Sequence, residues 1–305
     1  MMTTEQSRIL VVDDDAGNVE LLAGIFEQDF EVLFATDGQR ALEIARDELP
    51  DAILLDVMMP GMDGFEVCRR LKALRRTASI PVIFITGNGD LDAEARGLKL
   101  GAADYVTKPI HEPVVRLRVL NQIELKRARD RLTRLATTDG LTGIANRRHL
   151  EEVLSQEYQR HAETKAPLTL VLLDIDHFKA YNDNYGHLQG DDCLCMVARA
   201  VDQCVTPAGD LASRYGGEEF VCVLRECDAA AAALAGERIR QAVARLAIDH
   251  GHSSAATHVT VSVGTYTLQC APGGSADEAL KLADEQLYRA KQTGRNRVCS
   301  ATATG

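Results

Sequence analysis

The chain is predicted to be an α/β protein in two parts, a doubly wound parallel sheet and then an α+β domain, joined by a helical connector. Three observations carry this. A length of 305 residues suits two domains of ordinary size. The first 110 residues alternate short apolar runs with amphipathic segments. The second half instead holds a Gly-Gly turn between two strand-like runs, which implies an antiparallel hairpin within a mixed order of elements.

In the first half the strands are read at Ile9 to Val12, Glu31 to Phe34, Ala52 to Leu55 and Pro81 to Ile85, with a short fifth around Asp104 to Val106. They are β-branched or leucine-rich throughout, as strands buried on both faces must be. The helices between them are read at Asn18 to Gln28, Gln39 to Leu49, Gly64 to Leu74 and Leu91 to Leu100. In such a sheet the site lies at the carboxyl ends of the strands. Residues 112 to 136 carry seven Lys or Arg against three acids, with a proline, Pro113, only at the start. Leu125, Ala128, Leu132 and Leu135 follow heptad spacing over two heptads, which suits either an amphipathic helix or a stalk pairing two chains. Beyond Thr138, helices are expected at Asn146 to Arg160, Gln189 to Val205, Ala229 to Leu246 and Ala276 to Gln292, and strands at Leu168 to Leu173 and Val259 to Val263. Ser300 to Gly305 reads as a low-complexity tail.

Bulk properties exclude several classes. The net charge of −11 argues against non-specific nucleic-acid binding. No apolar stretch approaches the roughly 20 residues that span a membrane, and the polar start, Met1 to Arg8, does not resemble a signal peptide. Eight cysteines without a Cys-x-x-Cys pair read as reduced thiols in a cytoplasmic protein, with Cys222 in the core. His250, His252 and His258 flank a polar stretch that reads as a mobile loop rather than a metal site.

Two acidic constellations carry the chemistry. In the first half, Asp13, Asp14 and Asp15 follow the first strand, Asp56 ends the third, Thr86 ends the fourth and Lys108-Pro109 follows the fifth. Asp13, Asp14 and Asp56 suit a hard cation such as Mg²⁺. Asp56 suits attack on a phosphoryl donor, with Lys108 offsetting the charge that builds. Each residue alone has an ordinary structural use as a cap or surface group, but their joint occurrence on successive strands favours a site. The blocks Val-Val-Asp13-Asp-Asp, Leu-Leu-Asp56-Val-Met-Met-Pro-Gly-Met-Asp-Gly, Thr86-Gly and Gly-Ala-Ala-Asp-Tyr105-Val-Thr-Lys108-Pro109 resemble the receiver domain of bacterial response regulators, which is flavodoxin-like. The resemblance implies a receiver over 1–124, a histidine kinase that phosphorylates Asp56, and Thr86 and Tyr105 shifting together on phosphorylation.

In the second half, Asp174-Ile175-Asp176-His177-Phe178-Lys179 closes a strand, and Arg214-Tyr-Gly216-Gly217-Glu218-Glu219-Phe forms the Gly-Gly turn. Asp174 and Glu218 suit a divalent ion held from two sides, with the Ile175 carbonyl as a further oxygen ligand. Amides near Phe178 and Lys179 sit where a helix begins and suit phosphate. Lys179 is a point charge for terminal phosphates, and Asn182 with Asp191 suits the edge of a purine. Lys291 and Arg295 add two cations near the last helix end, where either also offsets the helix dipole.

Together with Asp139-Gly-Leu-Thr-Gly-Ile-Ala-Asn-Arg147-Arg, Tyr-Gly-His187-Leu-Gln-Gly-Asp191, Val261-Ser-Val-Gly-Thr and Ala283-Asp-Glu-Gln-Leu-Tyr-Arg-Ala-Lys291, these blocks resemble the GGDEF domain of diguanylate cyclases. The resemblance covers 138–300, leaving 112–137 as a stalk that overlaps the last receiver helix and 301–305 as a tail. It implies that two GTP molecules, one per domain of a homodimer, condense into cyclic di-GMP and two pyrophosphates. Each 3′-hydroxyl attacks the α-phosphorus opposite. By that resemblance Asp174, Ile175 and Glu218 hold Mg²⁺ or Mn²⁺, Glu219 holds a second ion, and Glu218 helps deprotonate the hydroxyl. Lys179 stabilises the transition state. Asn182 and Asp191 read guanine, His187, Phe178, Lys291 and Arg295 line the nucleotide, and Gly216 and Gly217 let the α-phosphate approach. Many members carry Arg-x-x-Asp just upstream of the turn as a product-inhibition site. Here Pro207-Ala-Gly-Asp210 stands there, so weak or absent inhibition is expected, with Asp210 and Arg238 as secondary product contacts. Two competing readings are a GTP-sensing module without turnover and a mononucleotide cyclase.

Overall fold

A computed structural model describes residues 6–87, 91–205, 209–271 and 274–303 of the chain. The chain divides into two compact units, Met1–Leu132 and Thr133–Gly305.

The first unit runs β1 (Arg8–Val12), α1 (Ala16–Phe26), β2 (Glu31–Ala35), α2 (Gly38–Glu48), β3 (Ala52–Asp56), α3 (Gly64–Ala73), β4 (Val82–Thr86), α4 (Leu91–Lys99), β5 (Asp104–Thr107) and the start of α5 (Glu112–Thr137). The five strands are parallel in the order β2-β1-β3-β4-β5. Residues alternate between two cores: Leu10, Val12, Ile53, Leu55, Val82 and Phe84 face one side, and Ile9, Val11, Ala52, Leu54, Ile83 and Ile85 the other. That is why these strands read as unbroken apolar runs. The strand order reverses between β1 and β3, which opens a crevice at their carboxyl ends. α1 begins two residues before the expected start because the Asp15 side chain caps it, accepting from the Gly17 amide. α5 buries Val115, Val119 and Ile123, four residues apart, while Leu125, Leu132 and Leu135 are exposed.

The second unit continues with β6 (Ala145–Asn146), α6 (Arg147–Thr164), β7 (Pro167–Ile175), α7 (Phe178–Tyr185), α8 (His187–Asp202), β8 (Leu211–Gly216), β9 (Glu219–Arg225), α9 (Ala229–Ala244), β10 (Val261–Gln269), α10 (Ala276–Gln292) and β11 (Val298–Thr302). Its sheet is mixed, in the order β11-β10-β7-β9-β8-β6, with central β7 antiparallel to both β10 and β9. Several segments differ from expectation. β7 runs through Asp174 and Ile175, because Asp174 still pairs with Ser262 on one side and Glu219 on the other. β11 takes in residues read as a tail, which pair in parallel with β10. The stretch read as a mobile loop holds His250 fully buried, its ring nitrogen 3.2 Å from the His177 carbonyl.

β10 extends well beyond Val263. Gly264, in its middle, lies where α10 crosses, and a Cβ there would collide with the Leu287 amide and the Ala283 carbonyl. The glycine is therefore a contact between strand and helix rather than a strand end. Gly264→Ala is expected to cost about 1–3 kcal/mol in urea unfolding, because neither backbone can yield without losing its own hydrogen bonds. An unchanged midpoint would show that strand and helix tolerate a wider spacing.

Candidate functional site

Each unit gathers charged groups at the carboxyl edge of its sheet. In the first, Asp13 is fully buried and Asp56 is 4% exposed. Lys108 reaches both, with Nζ 2.7 Å from Asp56 Oδ1 and 3.2 Å from Asp13 Oδ2. The Asp15 amide and the Asn18 side chain also donate to Asp13, and the Met58 amide to Asp56. Burial pushes the Asp56 carboxyl up, against the opposing pull of Lys108. Burial alone would lower the Lys108 pKa, but Asp56 and Asp13 outweigh it and leave it raised. Asp14 is exposed. The Thr86 hydroxyl is buried without a hydrogen-bond partner among the described residues, and Tyr105 lies under the Arg118 guanidinium at 5.5 Å. The Lys108–Pro109 peptide is cis.

In the second unit the hairpin turn is the two residues Gly217 and Glu218, with Gly217 at φ +55°. Arg214 braces it. Its Nε and one terminal nitrogen donate to the Gly217 carbonyl at 2.9 and 2.8 Å, and the other terminal nitrogen to Asp139 Oδ1 at 3.1 Å. Burial tends to raise the Asp139 carboxyl, but bonds from Thr142 and Arg214 prevail and hold it below its usual range. The braced turn lies against the end of β7, where the Ile175 amide meets the Glu218 carbonyl at 3.4 Å. Asp174, 9% exposed, pairs with Lys291 Nζ at 2.8 Å. Its carboxyl is pushed up to about 6, first by burial and further by Glu218 and Glu219, while Lys291 pulls it down.

Among the described residues no three His, Cys, Asp or Glu side chains are drawn tightly enough to form a ready-made metal site. The donor set nevertheless fits a divalent cation in each unit. In the second, a desolvated Asp174 feels two further carboxylates, and a lysine ammonium already sits against it. In the first, Lys108 likewise bridges Asp13 and Asp56.

α7 starts at Phe178 after His177 at φ +56°, whose side chain does not cap the helix. Lys179, His187 and Asp191 are exposed, while the Phe178 ring is buried and stacks on Tyr181 at 6.1 Å. Phe178 therefore offers a ligand its backbone amide and not its ring. The Asn182 Oδ1 atom is buried without a partner among the described residues, against Gly190, where any Cβ would collide with it. Nothing local in the sequence marks Gly190 for this role; only the fold reveals that the Asn182 amide needs its missing side chain. The Arg214–Asp139 brace was likewise unforeseen, since its partners are 75 positions apart.

Pro207 lies outside the described residues. Asp210 Oδ1 accepts from the Arg225 amide at 3.0 Å, and Arg238 donates to the Cys204 carbonyl at 2.7 Å. Arg295 is half-buried at φ +60° just beyond α10. No helix among the described residues is long and apolar enough to cross a membrane.

Comparison with known proteins matches both units. The model described as "Diguanylate cyclase, GGDEF domain" matches residues 136–297, and "Response regulator receiver domain" matches residues 9–120. Response regulator PleD of Caulobacter vibrioides is 30% identical over 457 aligned residues, spanning 97% of this chain and 100% of that protein. Diguanylate cyclase DgcM of Escherichia coli is 39% identical over 178 residues, 58% of this chain and 42% of DgcM. A crystal structure of the coiled coil and GGDEF domain of DgcB from Caulobacter crescentus, in complex with c-di-GMP, is 33% identical with a TM-score of 0.52. It covers 63% of this chain and 100% of the DgcB chain.

The Asp174 carboxyl makes a pH prediction. In the metal-free folded chain it keeps its proton to about pH 6, against 3.8 ordinarily. The folded state binds that proton more tightly than the unfolded chain. The associated stability is therefore full below pH 4 and is lost as pH rises through 6. Urea unfolding in chelator should show a loss of up to roughly 3 kcal/mol across this window, flattened in Asp174→Asn. Parallel curves for wild type and variant would contradict the assignment.

Proposed function

The chain belongs to the diguanylate cyclase, GGDEF domain family and joins that domain to a response regulator receiver domain; from this premise we propose that phosphorylation of Asp56 favours a homodimer in which two GTP molecules condense to cyclic di-GMP. The observation that carries the reading is the braced Gly217–Glu218 turn held against Asp174 at the end of β7. Asp174, the Ile175 carbonyl and Glu218 would hold a divalent ion, Mg²⁺ or Mn²⁺, and Glu219 a second, which would supply charge neutralisation for the triphosphate.

The protein's own groups do the rest. The open amides at Phe178 and Lys179 receive phosphate oxygens, and the Lys179 ammonium meets the charge that builds as pyrophosphate leaves. Lys291 exchanges its Asp174 partner for phosphate when nucleotide and metal arrive, and Arg295 adds a second cation. Asn182 and Asp191 hydrogen-bond the guanine edge, with His187 beside them. Gly216 and Gly217 leave the α-phosphate open to attack. Glu218 draws the proton from the incoming 3′-hydroxyl. That hydroxyl belongs to the nucleotide on the other chain, so catalysis is chiefly a matter of positioning two bound substrates.

In the receiver, Asp13, Asp14 and Asp56 bind the metal, and a histidine kinase supplies the phosphoryl group that Asp56 accepts. Lys108 then turns from carboxylate to phosphoryl oxygen, and the unpartnered Thr86 hydroxyl gains an acceptor, with Tyr105 following. The exposed Leu125, Leu132 and Leu135 on α5 give the paired chains a seam. Pro207 in place of an arginine removes the strongest anion-binding group of the product-inhibition motif, leaving Asp210 and Arg238, both of which hold backbone atoms of the domain.

Separation of the products after incubation with GTP and Mg²⁺ tests this. Cyclic di-GMP and pyrophosphate are expected, with a rate raised by a small phosphodonor, unresponsive to that donor in Asp56→Asn, and little slowed by added cyclic di-GMP. Intact GTP would point to a binding module, and 3′,5′-cyclic GMP to a mononucleotide cyclase.

A further inference from the structure

We propose that Asp176 and Arg240 are positioning residues that clamp Asn296 from two sides and so fix how the end of α10 presents Lys291 and Arg295 to the nucleotide triphosphate. This rests on the reading of the GTP site given above and extends it to residues that do not touch the substrate.

Asp176 is 1% exposed, only two positions beyond Asp174. Its Oδ1 accepts from the Ser262 hydroxyl at 2.6 Å, and its Oδ2 from the Thr260 hydroxyl at 2.7 Å and the Asn296 amide at 3.0 Å. No cation pairs with it among the described residues. A buried carboxylate is costly unless every lone pair is met by a donor, and here three donors from two distant segments meet it. The Thr260 and Ser262 hydroxyls are themselves buried. What the charge adds beyond packing is a rigid acceptor that ties the Asn296 backbone to the strand end bearing Asp174.

The segment so tied is one that would not hold its shape unaided. Gly294, Arg295 and Asn296 have φ of +119°, +60° and +44°. Two successive non-glycine residues in the left-handed region are unfavourable and need outside support. The Arg295 amide bonds the Ala290 carbonyl at 3.0 Å, closing the helix end. The Asn296 side-chain oxygen accepts from Arg240 at 2.7 Å, and that guanidinium is itself held by two contacts to Glu237, at 2.6 and 2.9 Å, on α9. Asn296 is thus fastened by its backbone to β7 and by its side chain to α9. The cations it steadies are Lys291, 2.8 Å from Asp174, and Arg295, whose guanidinium has no partner among the described residues.

The test uses the full chain with Mg²⁺ and 3′-deoxy-GTP, which lacks the attacking hydroxyl, and GMP, which lacks the two outer phosphates. Asp176→Ala and Arg240→Met are each expected to weaken 3′-deoxy-GTP by about tenfold while leaving GMP unchanged. Adding Arg240→Met to Arg295→Ala should cost clearly less than Arg240→Met costs alone, since part of its effect passes through Arg295 and the remainder through Lys291. Asp176→Asn should restore binding to within about threefold of wild type, because its Oδ1 can still take the Asn296 amide while the Ser262 hydroxyl turns to accept from Nδ2. If Asp176→Ala does not fold, Arg240→Met, on a partly exposed helix face, carries the test alone. Wild-type affinity in Arg240→Met, equal losses for both nucleotides, or additive losses with Arg295→Ala would overturn the clamp. Failure of the wild type to bind 3′-deoxy-GTP would instead overturn the reading of the site, and the clamp with it.

Discussion

The second unit is organised around a carboxylate in the wrong solvent. Asp174 ends a central strand with neighbours on both sides, so it is stripped of water by the same sheet that positions it. Glu218 and Glu219 arrive on the braced turn and make the local charge worse, and Lys291 from α10 relieves it. Removing Lys291 leaves an uncompensated charge in a desolvated place, which is costly. The arrangement is held by backbone geometry around it: Gly264 lets α10 approach β10, and Arg214 fixes the turn. On the proposed reading, that strain is the local cost of a site for a divalent cation and a triphosphate.

The first unit repeats the same physics on a different sheet. Asp13 and Asp56 are buried at adjacent strand ends, and Lys108, directly after β5, pairs with both. Both units thus hold an ammonium where metal and phosphate chemistry is proposed. On the proposed reading, arrival of the charged ligand would give that ammonium a new partner in each unit, and in the receiver the Thr86 hydroxyl, buried without a hydrogen-bond partner among the described residues, would gain an acceptor.

Much of this was legible in the sequence. The receiver strands are continuous apolar runs because both faces are buried, and each functional residue follows such a run directly. The Gly-Gly turn and Asp174 stood out for the same reason. What was not legible depends on contacts far apart in the chain. Gly264 looks like a strand end until α10 is placed across it. β11 reads as a tail because its alanines and threonines lack alternation, and only the pairing with β10 makes it a strand. Asp14 and Asp15 are neighbours of one type, yet Asp15 serves as a helix cap. Asp176 sits inside a quoted motif, but its three donors come from 84 to 120 positions away. The hydroxyls alternating with valines at Thr260 and Ser262 were the one local sign that this strand faces a buried polar partner.

On the proposed reading each chain carries a complete nucleotide-binding surface and half of a reaction. On that reading the attacking hydroxyl comes from a second chain, and the exposed leucines of α5 offer that chain a seam. The most direct measurement of this claim is the order of the reaction in protein. With GTP and Mg²⁺ saturating and the chain diluted stepwise, the initial rate is predicted to fall with the square of protein concentration, and a phosphodonor should move the onset of that fall to lower concentration. A rate strictly proportional to protein at every dilution, with and without the phosphodonor, would contradict the account.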